Sequence, residues 1–142
     1  MVGDALPASD GSNSELVVGV DLVSVQGIAD SVARFGDKFV KRVFTPGEIA
    51  YCREKPGAEA ERFAARFAAK EATMKALRPT PDDALPWQSI EIERAPGGWC
   101  SVRLSGNARA LADERGIHGL VLSFSHERDY ATATVIGHRS RR

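Results

Sequence analysis

Cysteine is scarce: Cys52 and Cys100 are the only two in 142 residues. They form no CxxC pair, and no His stands at zinc-ligand spacing from either. That argues against a structural zinc site and for two reduced thiols in a cytoplasmic protein. Net charge is also lacking, because 19 Lys and Arg balance 19 Asp and Glu. The molecule as a whole is therefore no polyanion binder, which excludes nucleic acid as the expected partner; attraction to an acidic partner has to come from a local patch. No apolar run approaches the roughly 18 residues a membrane span needs. The N-terminus has neither the basic start nor the apolar core of a signal peptide.

What is present, above all, is one helix. Glu61 to Leu77 contains no Gly or Pro and is rich in Ala, which predicts a helix. Winding it at 3.6 residues per turn sets Phe63, Phe67, Met74 and Leu77 on one face and spreads six alanines over the other. Two narrow polar seams remain. One carries Glu71 and Lys75, the other Arg62, Arg66 and Thr73. Lys70 falls in the aromatic face, where its stem can pack while its ammonium reaches outward. A central core helix with an ordinary i,i+4 Glu–Lys pair explains the pattern. So does a functional seam, since acids and bases amid small and apolar residues are costly to bury without a partner.

Around this helix the chain reads as one domain of residues 15–138, with a polar flexible leader over 1–14 and a basic tail over 139–142. Leu16 to Leu22 alternates as a strand. Leu16, Val18, Val20 and Leu22 share one face; Val17, Gly19 and Asp21 share the other, with Gly19 leaving room there. Asp is depleted in strands, so Asp21 is either an end-of-strand cap or a working carboxylate. A short helix follows to Gly36, a C′ position. Arg34, Lys38, Lys41 and Arg42 make the next stretch locally basic, as a solvated face or a docking patch. Thr45-Pro46-Gly47-Glu48 spells a capping box with Pro at the first helical position. Two hairpins, Ser89–Arg94 with Trp99–Leu104 and Leu120–His126 with Tyr130–Gly137, flank a helix from about Asn107 to Arg115. His126 ends its strand on the face of Leu120, Leu122 and Phe124. Helices and antiparallel strands without a βαβ rhythm predict an α+β fold, an antiparallel sheet with a long central helix.

Three pieces in register carry a resemblance. They are Val18-Gly19-Val20-Asp21-Leu22, then Arg66-Phe67-Ala68-Ala69-Lys70-Glu71-Ala72 with Lys75 after it, then Leu122-Ser123-Phe124-Ser125-His126. Together they resemble holo-[acyl-carrier-protein] synthase, the stand-alone class of 4′-phosphopantetheinyl transferase, over roughly residues 16–137. The resemblance implies transfer of the phosphopantetheine arm of coenzyme A to a serine of apo-acyl carrier protein, with release of adenosine 3′,5′-bisphosphate, for fatty-acid or polyketide biosynthesis. It implies Mg²⁺ held by Asp21 and Glu71, which suits an ion that takes one or two carboxylates plus substrate phosphates. Lys75 is placed to meet developing negative charge, and Glu71, itself or through a water, to accept the serine proton. Arg66, Lys70, Lys75 and His126 are the expected coenzyme ligands.

The family also implies a homotrimer. One helix can hardly aim the Glu71–Lys75 seam and the Arg66 seam at one compact ligand, so sites shared between subunits are expected. The chain departs from the family in three places. Arg78-Pro79-Thr80-Pro81-Asp82-Asp83 stands where many members have a Gly-rich loop. Glu127 follows the late His where many have Ser or Thr. Gly27 stands where many have a carrier-binding Arg, so carrier docking is expected to lean on Arg34, Lys38, Lys41, Arg42 and Arg53. The competing expectations are a non-catalytic coenzyme A or carrier-protein binding module of the same fold, and a domain of a larger synthase.

Overall fold

The computed structural model describes residues 14–140; the expected leader, up to residue 13, and residues 141–142 lie outside the described residues. Strand β1 (Ser14–Ser24) is followed by α1 (Val25–Phe35), α2 (Asp37–Val43), α3 (Pro46–Arg53) and α4 (Glu59–Leu77). Then come β2 (Ile90–Arg94), β3 (Cys100–Leu104), α5 (Gly106–Arg115), β4 (Ile117–His126) and β5 (Tyr130–Ser140). The strands form an antiparallel three-stranded sheet in the order β1-β5-β4 and a separate β2-β3 hairpin. The fold is α+β, with α4 laid across the inner face of the larger sheet. Among the described residues no helix is long and apolar enough to cross a membrane.

Helices α1 and α3 start on their own capping chemistry. Ser24 caps α1 by accepting from the Gly27 amide at 3.0 Å, and Gly36 ends it at φ +60°. The α3 capping box forms as its sequence predicts: the Thr45 hydroxyl accepts from Glu48 N and the Glu48 carboxylate accepts from Thr45 N at 2.8 Å. Two boundaries differ from expectation. β1 begins at Ser14, inside the expected leader, and β5 runs through His138 and Arg139 to Ser140. Residues 139 and 140 of the expected tail are strand because their backbone completes the ladder to β1, with Arg139 bonded to Glu15 at 2.9 Å.

The close fit of α4 to β1 sets up everything downstream. Gly19 sits on the inner face of β1, and a Cβ there would overlap the Ala72 carbonyl oxygen and lie 2.9 Å from the Ala76 nitrogen. Ala64, Ala65, Ala68, Ala69, Ala72 and Ala76 are all essentially buried. Small residues on both elements let the helix backbone come down onto the sheet, a contact that any side chain at position 19 would prevent. Two residues after Gly19 on the same face stands Asp21, which this approach delivers to the helix.

Candidate active site

Asp21, Glu71 and Lys75 meet where β1 touches the last turns of α4. Lys75 Nζ donates to Asp21 Oδ1 at 3.1 Å and to the Val20 carbonyl at 2.9 Å. The sequence pattern pairs Lys75 with Glu71, one turn back. The structure instead gives it to the strand, because Gly19 brings β1 within reach of its ammonium. Glu71 stays half-buried, and its carboxyl is held above the usual carboxylate range, by burial first and by the negative charge of Asp21 second, against the pull of Lys75. Two carboxylates thus share one ammonium. Among the described residues no group of three or more His, Cys, Asp and Glu side chains could hold a metal ion. A pair of carboxylates with charge to spare instead suits a hard cation that fills its remaining positions with water and phosphate oxygens.

Lys70 requires a correction. Its ammonium does not reach outward to a coenzyme: the side chain is fully buried and turned inward to Glu48 Oε1 at 2.8 Å. It donates also to the carbonyls of Trp87 at 3.1 Å and of Ile90. Glu48 in turn accepts from the Ile92 amide at 2.8 Å. The ammonium is spent on these three acceptors, so Lys70 belongs to the scaffold that ties α4 to α3 and β2. The sequence shows Glu48 as a capping residue only. No local pattern places its capping oxygen against a helix that begins eleven residues later, or its second oxygen against β2.

Arg66 and His126 fall into one cavity of about 360 Å³ between α3, α4, the β2-β3 hairpin and β4. Arg62, Arg94 and Lys55 line it too, with Glu61 the single acid of the lining. Sequence reasoning missed Arg94 and Lys55 as members of this group, since neither lies in a motif; the folding of the hairpin onto α4 brings Arg94 there, and the turn between α3 and α4 brings Lys55. Arg66 is 2% exposed. Its guanidinium lies 4.0 Å over the Tyr51 ring, and its Nε is buried without a hydrogen-bond partner among the described residues. His126 Nδ1 lies 3.3 Å from Glu61 Oε2, which fixes the ring at the cavity edge. Five positions separate Arg66 from Glu71, about 140° around the axis and about 7.5 Å along it. The two seams therefore face different surroundings, as their spacing predicts. Arg34, Lys38, Lys41, Arg42 and Arg53 are all exposed around α1, α2 and α3. Arg53 is partly engaged, 3.0 Å from Asp37 and 2.9 Å from Glu59.

Comparison with known proteins supplies the relatives of this arrangement. Residues 17–135 match the sequence model of the 4′-phosphopantetheinyl transferase superfamily. The holo-[acyl-carrier-protein] synthase of Koribacter versatilis is 46% identical over 121 residues, 85% of this chain and 96% of that protein. The synthase of Desulforudis audaxviator is 47% identical over 121 residues, 85% of this chain and 91% of that protein. Among solved structures, the ACPS–CoA complex from Chronobacterium ammoniagenes superposes with a TM-score of 0.78 at 34% identity, covering 90% of this chain and 99% of that one. The Helicobacter pylori holo-[acyl-carrier-protein] synthase in complex with coenzyme A gives 0.73 at 33% identity, covering 84% and 98%. With nearly the whole described chain matched, and with the acidic pair and the basic cavity both set against one central helix, the chain belongs to the holo-[acyl-carrier-protein] synthase branch of the 4′-phosphopantetheinyl transferase superfamily.

Proposed function

We propose that this chain is a cytoplasmic enzyme that transfers the 4′-phosphopantetheine arm of coenzyme A to a serine of apo-acyl carrier protein and releases adenosine 3′,5′-bisphosphate. The observation that carries the reading is the acidic pair Asp21 and Glu71 with Lys75 beside it, a group that a passive binding module has no need to keep. The serine oxygen attacks the pyrophosphate phosphorus that bears the pantetheine arm, and the bond to the nucleotide phosphate breaks. Glu71, its carboxyl held above the ordinary carboxylate range by burial and by Asp21, accepts the serine proton. Lys75 meets the negative charge that grows on the leaving phosphate. Asp21 and Glu71 would hold Mg²⁺, which when bound supplies positive charge to the pyrophosphate. Arg66 and His126, with Arg62 and Arg94, bind the nucleotide's phosphate in the basic cavity. Arg34, Lys38, Lys41, Arg42 and Arg53 form the docking surface for an acidic carrier, beside Phe35, which is 55% exposed.

The working form is a homotrimer. The outer face of the sheet supports this reading: Leu16, Val18, Val20 and Leu22 of β1, Val121 of β4 and Ile136 of β5 are each at least 40% exposed. In register Val18 faces Ile136, which faces Val121, so the apolar strip crosses the sheet. Strips of this kind mark interfaces. A ring of three copies covers it and lets the two α4 seams serve neighbouring sites.

Intact-mass analysis of apo carrier protein, incubated with this chain, coenzyme A and Mg²⁺, tests the activity. A gain of one phosphopantetheine is expected, and none with Asp21→Ala; an unchanged carrier mass with the unaltered chain would leave only the binding-module reading. Co-refolding Asp21→Ala with Arg66→Ala protein tests the shared sites. Part of the activity is expected to return, and a monomer in sedimentation would exclude them.

A further inference from the structure

The two cysteines end in opposite settings. Cys52 on α3 is fully buried, and burial pushes its thiol up to about 12. Cys100 opens β3 half-buried, on the wall of the basic cavity. Arg94 is its direct cross-strand partner, and Arg66 Nη2 approaches its Sγ at 3.8 Å. A second, independent feature says what this cavity takes. Arg66 is 98% buried, lines the cavity and leaves its Nε without a partner among the described residues, so the chain itself leaves part of this guanidinium's hydrogen-bonding capacity unmet beside the cavity. With Lys55, Arg62 and Arg94, four cations face one acid, and Glu61 is already engaged by His126. Such a concavity concentrates small anions, and here it holds them beside a thiol.

We propose that Cys100 is a redox modification site: its thiol exchanges with low-molecular-weight disulfides that carry anionic groups, and the resulting mixed disulfide closes the cavity to its phosphate-bearing ligand. The Cys100 thiolate attacks one sulfur of R–S–S–R, the S–S bond breaks, Cys100–S–S–R forms, and R–S⁻ leaves with the electron pair. The cysteine proton goes to solvent, the incoming disulfide is the oxidant, and excess thiol reverses the step. The anionic group of R stays on Arg66 and Arg94, where the ligand's phosphate would sit. The loss of coenzyme binding rests on the nucleotide reading above; the selectivity of the thiol rests on the cavity alone.

The test uses the whole chain without coenzyme. Its thiols are titrated with dithiobis(nitrobenzoate), a dianionic disulfide, and with cystamine, a cationic one, each rate divided by that for the urea-unfolded chain. The folded chain is expected to favour the anionic reagent by about tenfold or more, with one label per chain, mapped by peptide mass to Cys100 and absent in Cys100→Ser. Inorganic phosphate is expected to slow the anionic reaction and leave the cationic one unchanged. The labelled protein is expected to lose binding of adenosine 3′,5′-bisphosphate and to recover it with dithiothreitol. Equal normalised rates for the two reagents, or first labelling at Cys52, would overturn the proposal. So would undiminished nucleotide binding after labelling. If the unlabelled protein fails to bind the nucleotide at all, the cavity assignment and the proposed closure fall together, whereas charge-selective labelling is read without any nucleotide.

Discussion

Two lysines of α4, five residues apart, show how one side-chain chemistry is put to two uses. Lys70 is fully buried, with Glu48 and two carbonyls taking its ammonium. Lys75 is 53% exposed and shares its ammonium between the Val20 carbonyl and Asp21, with Glu71 close enough to feel its charge. Around Lys70 the charge is matched and the Glu48 oxygens are placed, which ties α4 to α3 and β2. Around Lys75 negative charge is left over at a half-open surface. Matched charge holds a structure in place, while surplus charge near solvent is what can receive a cation and a phosphate.

The difference can be broken most severely at Lys70. Lys70→Ala strands the Glu48 carboxylate in the core, and such losses cost about 3–5 kcal/mol. Urea unfolding is expected to show a loss of that size, with activity falling only as the folded fraction falls. Lys75→Ala should do the reverse. Its surface pairing is worth under about 1 kcal/mol, so the unfolding midpoint should barely move, while turnover drops about 100-fold or more as a charge-stabilising group is lost. Equal stability losses in the two variants would erase the distinction.

Glu71 sharpens it through pH. Its folded carboxyl keeps its proton to higher pH than the unfolded chain does. Over the window from the ordinary Glu value of about 4.3 upward to the folded value, the folded state therefore binds more protons, and stability falls as pH rises. Glu71→Gln carries no such penalty. In metal-free buffer it is expected to melt higher than the unaltered chain at neutral pH, with the gain vanishing below the ordinary carboxylate range, and to be inactive at every pH. A melting difference that does not depend on pH would show that the lifted carboxyl is not its source. Asp21→Asn should shrink the effect without abolishing it, because burial, the larger cause, remains.

The smallest expected effect lies on the carrier surface, away from both lysines. Reversing Lys41 and Arg42 to Glu should raise the carrier KM about tenfold, since exposed charges contribute under about 1 kcal/mol each and 1.4 kcal/mol is one decade. Coenzyme A binding should stay unchanged, and the salt dependence of the carrier KM should weaken. Equal losses for both substrates would move the docking surface elsewhere.

Much of this was written in local order. An alanine-rich run without Gly or Pro makes α4, and Thr45 with Glu48 three residues on makes the start of α3, because helix propensity and capping depend on neighbours within one turn. Alternation in β1 sets Gly19 and Asp21 on one face of the strand and the apolar strip from Leu16 to Leu22 on the other. The angle between the Glu71 and Arg66 seams follows from 3.6 residues per turn alone. Tertiary structure decided which partner each side chain meets. Periodicity gives the direction in which a residue leaves a helix and says nothing of what lies there, and a lysine stem can swing its ammonium in or out. Lys70 turned inward because Glu48, 22 positions earlier, arrived beneath it. Lys75 left Glu71 for Asp21 because Gly19 let β1 come close. Arg94 and Cys100 joined Arg66 and His126 because a hairpin with no motif of its own folded against α4. Each is a contact between segments far apart in the chain, and such contacts exist only once the chain has packed.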